Sequence, residues 1–270
     1  MMPMKSAPRQ FFRPFPLVAL LLLALFGCSR PRSNALRVGM ELAYPPFETI
    51  DEQGRPVGVS VDLANAIGER LGRPVIIENT AFDGLIPALK TGRIDAIVSS
   101  MTATPERAES IDFSEPYVDT GLCLLTGKNS EIKSIADADR PGMHIAVKKG
   151  TTGYLWAEAN LHKATILVLD KEAACVLEVV QGKADAFIYD QLSVFRHWQR
   201  NRDTTRALLE PFRRESWAVG IRKGDAELVR AVNAALADFR AKGGFDRLAD
   251  RWLKDEKQAF SAMHVAFIFK

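Results

Sequence analysis

From residue 36 onward, short apolar runs alternate with longer segments whose apolar positions recur every three or four residues. The runs at 36–40, 74–78, 96–99 and 117–126 predict strands. Between them, 61–71 predicts a helix with Val61, Ala64, Ile67 and Leu71 on one face and Ser60 as its N-cap. Residues 85–90 predict a short helix after the Asp83-Gly84 turn. Residues 105–109 predict a helical turn with Thr104 as N-cap and Pro105 at its first position. The pattern then restarts. Strands are predicted at 144–147, 166–169, 186–189 and 217–221, and helices at 154–159, 172–180, 192–199, 227–242 and 245–254. Repeated strand–helix–strand units predict an α/β fold with mostly parallel strands.

A short internal repeat divides this pattern in two. Gly92-Arg93-Ile94-Asp95-Ala96-Ile97 matches Gly182-Lys183-Ala184-Asp185-Ala186-Phe187, and each copy leads from an apolar helix into a buried strand. Two similar α/β lobes are therefore expected. In open α/β sheets, ligands sit beyond the carboxyl ends of the strands. Those ends carry Ser99-Ser100 in one half and Tyr189-Asp190 in the other, so a ligand cleft between lobes is expected.

Composition changes the picture only at the N-terminus. The 270 residues are 47% apolar and 26% charged, ordinary for a globular chain. Lys5, Arg9 and Arg13 supply three of the 36 basic residues, and the other 33 balance the 33 acidic ones. A neutral body lacks the basic face of a nucleic-acid binder, and no nucleic-acid partner is expected. Residues 17–26 (LVALLLLALF) follow the basic residues as an apolar run too short to span a bilayer. Residues 1–27 therefore predict a signal peptide. Leu25-Phe26-Gly27-Cys28 resembles a lipoprotein lipobox, which implies that Cys28 is lipid-modified and held on a membrane through its acyl chains. A secretory signal with an incidental cysteine is the alternative. Residues 28–35 predict a flexible tether. Cys123 and Cys175 stand either as two buried thiols, the preferred reading, or as a disulfide that the exported compartment permits.

The predicted strand ends carry chemistry suited to a zwitterion. Arg107, on the turn after a strand end, offers a planar fork that matches a carboxylate. Ser99, Ser100 and Thr102 add hydroxyl and N–H groups. Asp190 is placed to accept from an ammonium. Gly150-Thr151-Thr152-Gly153 precedes a helix and forms an anion-friendly end. Tyr44 and Phe82 are candidates to stack on aliphatic or cationic parts of a ligand. Each residue alone has a structural reading: a surface ion pair, a helix cap, a loop or a core ring. Their shared position at strand ends favours a binding site.

Seven segments together carry a family resemblance: 38–48 (VGMELAYPPFE), 82–89 (FDGLIPAL), 92–96 (GRIDA), 99–117 (SSMTATPERAESIDFSEPY), 149–153 (KGTTG), 185–190 (DAFIYD) and 243–252 (GGFDRLADRW). They resemble the bacterial extracellular solute-binding proteins of family 3, the polar amino-acid-binding subunits of ABC importers. The resemblance implies a two-lobed periplasmic-binding-protein fold of type II, each lobe a mostly parallel sheet flanked by helices, with a two-strand hinge. Lobe 1 would span 36–116 and 216–256, lobe 2 would span 122–212, the hinge 117–121 and 213–215, and a tail 257–270. It implies that Arg107 binds an α-carboxylate with Ser100 and Thr102, and that Asp190 takes the α-ammonium. Thr152 would close over the ligand, with Tyr44 and Phe82 sandwiching its side chain. Glu41 matches a position that is acidic in relatives binding Lys, Arg or His, which implies a basic or otherwise polar amino acid. The partners implied are a free amino acid, ABC permease membrane subunits and the bilayer, for a monomeric binding protein on the periplasmic or extracellular face. Residues 261–270 (SAMHVAFIFK) depart from the family by continuing as an apolar run, either frayed or packed on a lobe.

Two rival functions remain. A dehydratase of the cyclohexadienyl type shares the fold and needs a poised carboxylic acid, for which Glu41 is the candidate. A sensor module would use the same cleft to signal to a membrane kinase. Other enzyme signatures do not occur: Gly58-Val59-Ser60-Val61-Asp62 misses the last glycine of G-x-S-x-G, and His144, His162, His197 and His264 lack metal-ligand spacing. No cofactor, metal or catalytic residue is expected.

Overall fold

The computed structural model describes residues 34–269. The predicted signal peptide, Cys28 and nearly all of the tether lie outside the described residues. No helix among those described is long and apolar enough to cross a membrane.

The first half runs β1 (Leu36–Met40), β2 (Thr49–Ile50), β3 (Pro56–Val57), α1 (Val59–Leu71), β4 (Val75–Asn79), α2 (Leu85–Lys90), β5 (Ala96–Ile97), α3 (Pro105–Ala108) and β6 (Ile111–Phe113). The second half runs β7 (Val118–Gly127), β8 (His144–Lys148), α4 (Thr152–Asn160), β9 (Thr165–Leu169), α5 (Glu172–Val180), β10 (Ala186–Asp190), α6 (Gln191–Arg200) and β11 (Thr205–Trp217). The chain then returns through β12 (Gly220–Arg222) and ends in α7 (Ala226–Ala241), α8 (Gly244–Trp252) and α9 (Lys254–Ala262).

Two five-stranded sheets result, ordered β4-β1-β5-β12-β6 and β11-β7-β10-β8-β9. In each, four strands run the same way and one is reversed: β12 in the first sheet and β7 in the second. The reversed strands belong to the segments that carry the chain between the sheets, as a two-lobed α/β fold requires. Both faces of the second sheet are covered. Leu122 and Leu124 of β7 join one apolar cluster with Ala157, whereas Cys123 and Leu125 join another with Cys175 and Val194. This period of two explains why the run is apolar throughout. Cys123 and Cys175 are both free and buried.

Several expectations need correction. Helix α1 begins at Val59, with Gly58 as its N-cap at φ 126°, so Ser60 lies inside the helix and its hydroxyl bonds elsewhere. The expected strand 217–221 is broken: β11 ends at Trp217 and β12 starts at Gly220. The long strand β11 was hidden by charges and by Pro211. It lies at a sheet edge, and its register against β7 shifts between Leu208 and Arg213, where a proline is tolerated. The predicted cap of α3 is present, with Thr104 Oγ1 accepting from the Arg107 N–H at 3.2 Å.

The C-terminal run is packed rather than frayed. Phe260 is fully buried and meets Phe195 of α6 edge to face at 5.3 Å. Glu256 pairs with Arg196 of α6 at 3.4 Å. Beyond α9, the Asp119 N–H of β7 donates to the Ile268 carbonyl at 2.8 Å.

Candidate functional site

One cavity between the strand ends of the two sheets gathers all ten sequence-predicted residues: Glu41, Tyr44, Phe82, Ser99, Ser100 and Thr102, with Arg107, Thr151, Thr152 and Asp190. Glu48, Lys148, Glu215 and Trp217 also line it and were not predicted, and Tyr189, expected at the strand end but not as a ligand contact, lines it too.

Arg107 is 8% exposed. Its Nη1 donates to the Thr102 carbonyl at 2.8 Å and its Nη2 to the Gly150 carbonyl at 3.1 Å. Both side-chain hydrogen bonds among the described residues thus go to carbonyl oxygens, and neither neutralises the charge. Burial lowers the guanidinium to about 10, opposed by Glu215, so it stays charged at neutral pH. Glu215 sits behind it on β11. Its Oε2 accepts from the Thr102 hydroxyl at 3.0 Å and from the Thr152 hydroxyl at 2.8 Å, joining the two halves of the cavity. Gly150 takes φ 75°, a left-handed conformation suited to glycine, and brings its carbonyl to Arg107. Thr151 then caps α4, its hydroxyl accepting from the Tyr154 N–H.

Asp190 ends β10 and caps α6, accepting from the Ser193 N–H at 3.1 Å. Its other oxygen accepts from the Tyr44 phenol at 2.8 Å. Burial raises the carboxyl to about 7, and the nearby charge of Glu172 adds to the rise. Glu172 in turn accepts from the Ser193 hydroxyl and meets His197 Nε2 at 2.7 Å.

Glu48 is 2% exposed and forms the floor of the first half. It accepts from the hydroxyls of Ser60 at 2.5 Å, Ser99 at 3.1 Å and Ser100 at 3.2 Å. Ser100 adopts φ 49° there. Burial raises Glu48 to about 8 despite these donors. Ser99 and Ser100 are therefore engaged by a carboxyl of the chain itself.

Glu41 pairs with Lys148, the last residue of β8, whose side chain is 3% exposed. The Lys148 ammonium lies 5.3 Å from the centre of the Phe82 ring, and the Arg107 guanidinium 5.5 Å from it. Phe82 thus faces both cations. Tyr44 stacks on Phe47 at 5.4 Å and meets Trp217 edge to face at 6.1 Å, so its ring belongs to a wall rather than to a free platform. Lys148 ends β8 as Asp190 ends β10, each behind a buried apolar run.

Known proteins resemble this chain along most of its length. Residues 36–255 match the family described as bacterial extracellular solute-binding proteins, family 3. The L-cystine-binding protein TcyJ of Escherichia coli is 30% identical over 81% of this chain and 82% of its own length. The L-arginine-binding protein of Pseudomonas aeruginosa is 31% identical over 87% and 92%. Among solved structures, the ancestral amino acid-binding protein AncCDT-1, described as a precursor of cyclohexadienyl dehydratase, is 38% identical. It superposes with a TM-score of 0.75 over 81% of this chain and 95% of its own. These matches, with the two-sheet fold, establish that the chain belongs to family 3 of the bacterial extracellular solute-binding proteins.

Proposed function

We propose that this chain binds a free polar amino acid in the cleft and delivers it to the membrane subunits of an ABC importer. The observation that carries the proposal is the pairing of a buried, carboxylate-free Arg107 with a buried Asp190 across one cavity. Arg107 receives the α-carboxylate through the N–H donors that bond no group among the described residues. Asp190 receives the α-ammonium. Phe82 and Tyr189 flank the side chain.

The lobes are assigned as 36–116 with 216–256, and 122–212. Residues 117–121 and 213–215 act as the hinge, with 257–270 as a tail. Opening at the hinge admits the ligand, and closure brings Thr152 and Asp190 onto it. Cys28, at the end of the predicted signal peptide, anchors the mature protein to the membrane through acyl chains. The chain works as a monomer and performs no chemistry on its ligand. A thermal-shift screen of the common amino acids tests the proposal, because a ligand that binds only the native state raises the melting temperature. At least one α-amino acid should do so, and its N-acetyl or α-amide derivative should not.

One observation favours a second reading, a dehydratase of the cyclohexadienyl type. The cavity holds Glu48, which burial keeps protonated up to about 8 and which is therefore poised as an acid. Incubation with prephenate or arogenate decides between them: an aromatic product absorbing in the ultraviolet would establish catalysis.

A further inference from the structure

Glu41 and Lys148 line the cavity, yet neither is used in gripping an α-carboxylate or an α-ammonium. A lysine buried to 3% exposure needs a partner, and Glu41 supplies it. The pair is not saturated. An ammonium carries three donors, and Glu41 takes one. No other acceptor bonds Lys148 Nζ among the described residues. Likewise, no donor besides Lys148 reaches the Glu41 carboxylate among the described residues.

This arrangement sets the charge that the part of the cavity beside Phe82 accepts. A cationic ligand side chain that brings no carboxylate would meet the Lys148 ammonium with nothing to offset its charge. A carboxylate would find unused N–H donors on Lys148, whose ammonium lies over the Phe82 ring as the Arg107 guanidinium does. We propose that Lys148 is the specificity-determining residue of the cleft and selects amino acids that carry a second carboxylate. Glu41, with its free acceptor capacity beside Lys148, takes a second ammonium. The proposal rests on the amino-acid-binding reading of the same cleft. Two ligand sources share the second carboxylate: an acidic amino acid with one ammonium, and a diamino diacid with two α-amino-acid heads. Glu41 favours the second.

Calorimetric titration of the full-length chain with L-cystathionine, L-glutamate and L-arginine tests this. L-cystathionine is expected to bind tightest and L-arginine at least about 10-fold more weakly. Lys148→Met should weaken both dicarboxylates about 10-fold and strengthen L-arginine, whereas Lys148→Arg should keep the wild-type ranking. The arginine variant preserves the test if the methionine variant fails to fold. L-glutamate as the tightest ligand would uphold the role of Lys148 and overturn that of Glu41. Any ligand lacking a second carboxylate at the top of the wild-type ranking would overturn the Lys148 assignment alone. Failure of every amino acid to bind would overturn the parent reading as well.

Discussion

The Tyr44 phenol donates to Asp190 Oδ2 at 2.8 Å, tying the loop after β1 to the end of β10. The bond steadies the charged form of a carboxyl that burial has raised to about 7. Ligand ammonium needs that charge, so affinity should fall as pH drops below about 7. Tyr44→Phe removes the donor and moves the Asp190 carboxyl further up. Affinity for the bound amino acid should fall roughly 3- to 30-fold at neutral pH, with a smaller loss at alkaline pH. Calorimetry of both proteins at acid, neutral and alkaline pH measures this, and parallel pH profiles would contradict it.

Glu48 gives a second pH dependence, of opposite consequence for the empty protein. Its folded value of about 8 lies above the ordinary 4.5 because of burial. Between those values the native state keeps a proton that the unfolded chain has released. Stability from this group is therefore present below pH 4.5 and lost as pH rises through about 8. Glu48→Gln cannot titrate. Urea midpoints should show wild type losing stability relative to Glu48→Gln between about pH 5 and pH 9. Equal slopes in the two proteins would count against the buried, protonated acid.

Much of this arrangement is readable from the sequence, and the gaps have physical reasons. Arg107 and Asp190 are legible because each is a polar residue close behind a buried apolar run. The cap of Thr104 and Pro105 is legible because it is local. Glu215 was hidden because β11 is an edge strand, where charges and Pro211 erase the apolar pattern. Lys148 was hidden because it stands beside Lys149 and a glycine and reads as the start of a solvated loop, although it is buried and Lys149 is exposed. Glu48 depends on long-range folding that brings the loop after β1 beneath Ser99 and Ser100. Its three hydroxyl partners are distant in sequence.

The tail that looked unlike the family has a packing role. Phe260 is fully buried against Phe195 of α6 and Phe267 of the tail. Phe260→Ala should cost about 3–5 kcal/mol of unfolding free energy, because it removes a large buried ring and leaves a cavity. Urea denaturation checks this. A loss below about 1 kcal/mol would mean that α9 does not belong to the cooperative core.

In the proposed function, Arg107 grips the α-carboxylate. The most direct test is calorimetric titration of wild type and Arg107→Ala with the amino acid that stabilises wild type best. Removing the guanidinium should weaken binding by about 2–5 kcal/mol, roughly 30-fold to several-thousand-fold, while the α-amide of the same ligand should bind both proteins about equally poorly. An unchanged affinity for the amino acid in Arg107→Ala would contradict the assignment.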